Sequence, residues 1–215
     1  MKRLKPRTWA TILLRNVLGL VLAALFIFPF FMILINTFKP QRAFFENVLA
    51  LPTELYLDNY ARAIKDMRYW STLGHTLQVV VGSIALIIVF GAMAAWRLNR
   101  TQSKRWSKVT YALLVSGMLI PFQGIMLPFV AWVNKLQLAN LAGISVIYAG
   151  FGCIQAMFLM HGFVGGIPKD IEESAGIDGC GTFRLFWQIV FPLMMPIVLS
   201  VVFLDLIWIW NDYLM

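Results

Sequence analysis

The sequence predicts an all-α membrane protein, a multi-pass helical bundle with five spanning helices. Three observations predict it. About 60% of the 215 residues are hydrophobic and only 13% are charged, well below the roughly 25% charged of a soluble domain. The apolar residues come in uninterrupted runs of spanning length. The basic residues gather in the gaps between alternate runs.

A bilayer core about 30 Å thick takes about 20 apolar residues as helix. The first run, Asn16 to Phe38, is uncharged. So are Gly74 to Trp96, Val109 to Trp132 and Ile144 to Gly166. The fifth, Pro192 to Trp210, carries one acid, Asp205. The basic N-terminus followed by an apolar run imitates a signal peptide. The run is too long and no small-residue cleavage pattern follows it, so it reads as a retained first helix.

The net charge of +8 is a matter of placement, not of nucleic-acid binding. Lys2, Arg3, Lys5, Arg7 and Arg15 precede or open the first run. Arg97, Arg100, Lys104, Arg105 and Lys108 fill the second gap with no acid among them. The first gap mixes Lys39, Arg42, Arg62, Lys65 and Arg68 with Glu46, Glu54, Asp58 and Asp66, and the third has only Lys135. Short basic loops stay cytoplasmic. The N-terminus, the second loop and the fourth loop are therefore expected inside, the first and third outside. Residues 1–70 read as a first helix with an external loop, and 71–215 as the main membrane domain.

Enzyme signatures are missing. There is no GxxxxGK[ST] phosphate loop, no His-Glu-x-x-His pair and no GxSxG elbow. His75 and His161 share no metal-ligand spacing. Cys153 and Cys180 give no disulfide framework. No catalytic or metal residue is expected, and any energy for pumping must come from a partner or an ion gradient.

The fourth loop, Gly166 to Phe191, carries the strongest signal. Ile167-Pro168 opens a short helix, with Pro168 expected at the first helical position. Asp170, Glu172 and Glu173 follow where acids favour the positive helix end. Gly179 and Gly181 are suited to ending it. Ile171, Ser174, Ala175 and Asp178 fall at helical spacing on one small, mildly apolar face. The helix is too short and polar to span, and suits a partner's groove.

This segment resembles the EAA loop of binding-protein-dependent ABC importer permeases. That pattern is Glu-Ala-Ala, three residues, Gly, nine residues, Ile, one residue, Leu-Pro. Here Glu173-Ser174-Ala175, Gly179, Ile189 and Phe191-Pro192 keep every spacing, with Ser174 for Ala and Phe191 for Leu. The resemblance extends along the chain. Thr37-Phe38-Lys39-Pro40, Pro52 and Asn59-Tyr60 look like the external loop of carbohydrate-type permeases. Ile120-Pro121, Pro128 and Leu138-Ala139-Asn140 follow, and Trp210-Asn211-Asp212-Tyr213-Leu214 is similar to a late motif of sugar permeases.

The resemblance implies a division of labour. The loop 166–191 would couple the chain to a cytoplasmic ATPase dimer, which binds the ATP and magnesium, so no cofactor is expected in this chain. Glu173 would meet a basic group of the ATPase or orient the loop, Gly179 would turn the chain, and Ser174, Ala175, Ile189 and Pro192 would complete the coupling segment. A second permease subunit and an extracytoplasmic substrate-binding protein are implied partners, in the cytoplasmic (inner) membrane. Translocation of a sugar or oligosaccharide would proceed by alternating access. The family pattern also implies a sixth span beyond Met215.

Asp205, Trp208 and Asp212 share one helix face and are candidates for the substrate path. Carboxylates accept from sugar hydroxyls and aromatic faces pack on sugar C–H surfaces. They fit equally an Asp bonded to a neighbouring helix and a Trp in the interfacial belt. Two other functions remain open: an ion-coupled secondary transporter, which needs more buried ionisable groups than Asp205, and an inactive truncated fragment.

Overall fold

The computed structural model describes residues 9–212. Among them every regular element is a helix. The chain divides into two units between Thr72 and Leu73.

In the first unit, α1 (Trp9–Thr37) is followed by α2 (Gln41–Glu46) and α3 (Asp58–Asp66). Helix α1 has Arg15 as its one charged residue, and its stretch Thr11–Thr37 is long and apolar enough to cross a membrane. Beyond it, the residues singled out from sequence interlock. Asn59 donates from Nδ2 to the carbonyls of Thr37 (3.0 Å) and Lys39 (2.7 Å). The hydroxyls of Thr37 and Tyr60 bond at 2.7 Å. The Lys39 side chain is buried and donates to the carbonyls of Asn47 and Val48. Thr37, Lys39, Asn59 and Tyr60 thus close a segment that has little regular structure, by satisfying backbone carbonyls that water would otherwise hold.

The second unit holds the rest of α4 (Tyr69–Arg100), then α5 (Arg105–Gly117), α6 (Phe122–Lys135) and α7 (Leu141–Val164). Next come α8 (Lys169–Ile177), α9 (Thr182–Leu185), a π-helical turn Phe186–Val190, α10 (Phe191–Leu193) and α11 (Met195–Asn211). Helices α4 and α7 are each long and apolar enough to span. The third and fifth predicted spans are not straight. Helices α5 and α6 meet at 95°, and Thr182–Leu193 meets α11 at 75°. The described helices therefore give three continuous spans, or five if each bent pair counts as one.

Proline causes both departures. Pro121 has no N–H to continue a helix and biases Ile120 away from the helical region, so α5 stops at Gly117 and Pro121 caps α6. Pro192 and Pro196 flank the second break at Met194. At the start of α7, Asn140 accepts the Gly143 N–H at 2.9 Å, an N-cap bond. A Cβ on Gly143 would overlap the Leu138 backbone, so the turn into α7 requires glycine there.

Helices α4, α7 and α11 form the core. Gly91 lies against Ala156, Gly82 against Ser145, and Gly152 leaves room for Ile87 and Trp208. Small residues let helix backbones approach, which is how helices associate where lipid is as apolar as leucine. The buried stripe of α11 runs Val198, Val201, Asp205, Ile209, at the spacing of one helix face.

Candidate functional site

Helix α8 is built by its ends. Pro168 stands one position earlier than the sequence predicts: it is the N-cap, with ψ of 132°, and Lys169 is the first helical residue. The extended ψ is what keeps Pro168 outside the helix. Asp170 and Glu172 occupy the first turn, against the positive end of the dipole. At the other end Gly179 has φ of +77°, a conformation that side chains resist. Its N–H donates to the Gly176 carbonyl (3.1 Å) and the Cys180 N–H to the Ala175 carbonyl (3.0 Å). This is a Schellman motif, so Gly179 ends the helix. Gly181 instead caps α9.

The small face expected to meet a partner is divided. Ala175 is buried, whereas Ile171, Ser174 and Asp178 are exposed. Ala175 shares its side of α8 with Glu172, and that side is held by α4. The Glu172 carboxylate accepts from Arg100 Nε at 2.8 Å and Trp96 Nε1 at 3.0 Å, and Arg100 Nη2 stands 2.6 Å from Oε1. The same guanidinium donates to the Ile167 carbonyl at 3.0 Å. Glu173 points the other way and is exposed, as is Ile177, at 88%.

Ile189 is half-buried in the π-helical turn and Pro192 is exposed in α10. The end of this turn is closed by the Phe191 N–H reaching back to the Phe186 carbonyl. Pro192, which has no N–H to donate, follows directly. Two residues of the sequence motif thus lie at the place where the chain bends into α11.

At the opposite end of α4 and α7 lies a cleft of about 220 Å³, lined by His75, Thr76, Val79, Tyr148, Trp210 and Asp212 among others. Of the predicted path residues Asp212 lines this cleft, and Trp208 reaches its edge through Tyr148. Trp208 packs edge-on against Tyr148, ring centres 5.5 Å apart, and the Tyr148 hydroxyl donates to Asp212 Oδ2 at 3.0 Å. Asp205 is separate from them. It is 2% exposed in the helix interior, and its Oδ2 has no hydrogen-bond partner among the described residues. Sequence reasoning missed Tyr148, which sits on a different helix with no local pattern to mark it. It also missed Trp96 and Arg100 as partners of Glu172. Their helical spacing at the end of a span was visible, but nothing in the chain pairs them with a residue so far away.

The family profile described as "Binding-protein-dependent transport system inner membrane component" matches residues 87–215. The chain belongs to this family. The chain is 41% identical over 198 residues to the "Probable starch degradation products transport system permease protein AmyC" of Thermoanaerobacterium thermosulfurigenes, covering 92% of this chain and 72% of that one. It is 30% identical over 200 residues to the "Melibiose/raffinose/stachyose import permease protein MelC" of Bacillus subtilis, with 92% and 72% covered. It is 29% identical over 196 residues to the "Multiple sugar-binding transport system permease protein MsmG" of Streptococcus mutans, with 89% and 69% covered. A solved bacterial ABC transporter involved in alginate import shares the fold, with TM-score 0.83 at 22% identity, over 99% of this chain and 75% of that one.

The chain is a multi-pass inner-membrane permease of the carbohydrate-uptake type, a subunit of an importer. Such permeases are not enzymes, and the ATPase is a separate subunit.

Proposed function

We propose that this chain is one of two permease subunits in an ATP-driven importer of oligosaccharides, working by alternating access. The carrying observation is the two-sided helix α8. One side is fixed to the span bundle through Glu172 and Ala175; the other leaves Glu173 and Ile177 exposed. A helix so held and so exposed suits the cleft of a nucleotide-hydrolysing partner. In this reading the N-terminus and α8 lie on the cytoplasmic side, where the basic loops belong. Glu173 meets a basic group of the ATPase, and ATP with magnesium binds there.

The sugar passes the opposite end. Trp208, packed on Tyr148 beside the cleft, offers an aromatic face, and Asp212 in the cleft wall accepts from hydroxyls. Asp205 lies deeper in the bundle, where an acid marks a path or a helix contact. An extracytoplasmic binding protein delivers the sugar. The relatives named above point to short α-linked oligosaccharides, beginning with starch fragments.

The test is ATP-dependent uptake of radiolabelled maltotriose, raffinose and stachyose by proteoliposomes holding the full chain with its ATPase, partner permease and binding protein. Uptake of one of these sugars is expected, and its loss in Glu173→Lys with the permease still in the membrane. Normal uptake by Glu173→Lys removes the coupling role. Uptake driven by a proton or sodium gradient without ATP favours the ion-coupled alternative.

A further inference from the structure

The connections on either side of α8 carry glycine: Gly165-Gly166 before it and, beyond the Gly179 cap, Gly181 after it. Glycine hinges are poor levers, because each adds backbone freedom. A push on α8 passed only along the chain would be absorbed there. The stiff connection is the one through side chains.

We infer that Trp96, Arg100 and Glu172 form a clamp that makes α4 move with the coupling helix, so that α4 carries the stroke of the ATPase to the sugar cleft. This rests on the importer reading above. Trp96 and Arg100 are i and i+4 on α4 and face the same way. Together they hold the coupling segment at three points. Arg100 takes the Ile167 carbonyl before the helix (3.0 Å) and the Glu172 carboxylate within it (2.8 Å from Nε). Trp96 donates to the same carboxylate and packs its ring on Phe186 beyond the helix, centres 5.3 Å apart. Between them, Asn99 donates to the His161 carbonyl at the end of α7 (3.0 Å).

Burial makes this clamp stiff. Exposed ion pairs swivel and contribute little. Here the Arg100 and Glu172 side chains are only 12% and 11% exposed, and both carboxylate oxygens are occupied by donors. A planar guanidinium fork fixes direction as well as distance. The shaft is also continuous. Helix α4 runs unbroken from Tyr69 to Arg100, and His75, Thr76, Val79 and Val80 on it line the cleft. From His75 to Arg100 is roughly 35 Å at the usual helical rise. By contrast, α5 with α6, and α9–α10 with α11, are bent and transmit a push less directly. Trp96, Arg100 and Glu172 are positioning residues: they touch neither nucleotide nor sugar.

The experiment measures maltotriose taken up per ATP hydrolysed in proteoliposomes with the complete transporter. Two variants test the clamp. Glu172→Gln weakens it, and the paired change Arg100→Met with Glu172→Leu replaces it by apolar packing that leaves no buried charge alone. Both are expected to keep the ATPase bound and to lower the uptake-to-hydrolysis ratio about tenfold, the upper range for residues that carry coupling without touching ligand. Arg100→Lys, which keeps the charge and loses the fork, is expected between them and wild type.

A purely structural role moves uptake and hydrolysis down together and leaves their ratio unchanged; that result overturns the clamp. So does a normal ratio in the paired variant. A wild-type transporter that hydrolyses ATP, binds its ATPase and moves none of the three sugars tested contradicts the substrate class instead. A wild-type chain that never binds an ATPase removes the importer reading, and the clamp's role with it.

Discussion

The two ends of the α4–α7 pair are built on opposite rules. At one end Trp96, Asn99, Arg100 and Glu172 commit their polar atoms to one another and to the carbonyls of His161 and Ile167. At the other, a cleft of about 220 Å³ stands open between the same helices, with the Tyr148 hydroxyl bonded to Asp212 along its wall. The first end resists displacement; the second has room to change shape. The alternating-access reading proposed above needs both, one end to receive force and one to open and close.

The comparison breaks most severely at Arg100. Arg100→Ala leaves the Glu172 carboxylate mostly buried without its cation, a change that costs about 3–5 kcal/mol. A fall in the thermal midpoint of the detergent-solubilised protein is the expected result, much larger than for any exposed residue of α8. A midpoint within one or two degrees of wild type means that the pair is not an anchor.

Gly143→Ala should come next. The added methyl meets the Leu138 backbone, and an overlap that only backbone movement can relieve costs about 1–3 kcal/mol. The same measurement should show a smaller fall, with α7 entering the bundle wrongly.

Gly179→Val tests the end of α8 without touching its packing, since nothing lies within 4 Å of a Cβ there. The cost is conformational alone, about 1–3 kcal/mol for a β-branched residue at positive φ. Faster amide exchange over the last turn of α8 is expected. Unchanged exchange contradicts the Schellman assignment.

The cleft end should yield the smallest stability effect. Tyr148→Phe keeps the ring against Trp208 and loses only the bond to Asp212, worth about 0.5–1.5 kcal/mol. Its signature should be a raised half-saturation concentration for sugar uptake with little change in thermal midpoint. The reverse pattern marks Tyr148 as a packing residue.

The legibility of each region follows from the range of its interactions. The end of α8 was readable because a helix stop is local chemistry: Gly179 carries it alone. The spans were readable because lipid demands length and apolarity within one stretch of chain. Their straightness was not. Val109 to Trp132 is uncharged throughout, yet Pro121 divides it, because a missing N–H outweighs a span-length hydropathy pattern. Which side of α8 faces the bundle is not legible locally for a related reason. Ser174 and Ala175 are both small, and only the distant Arg100 decides that Ala175 and Glu172 turn inward. Trp208 and Asp212 were placed on one face by helical spacing, but their partner Tyr148 comes from another helix.

The most direct measurement is site-specific photocrosslinking in intact membranes, with a photoreactive amino acid at Ile177 on the outward side of α8. The account predicts a covalent adduct with the importer's ATPase, identified by mass spectrometry and lost in Glu173→Lys. The same probe at His75, at the cleft end, should give none. Adducts from Ile177 to an extracytoplasmic protein, with none to the ATPase, would contradict the account, since α8 would then not lie on the cytoplasmic side, where an ATPase can reach it.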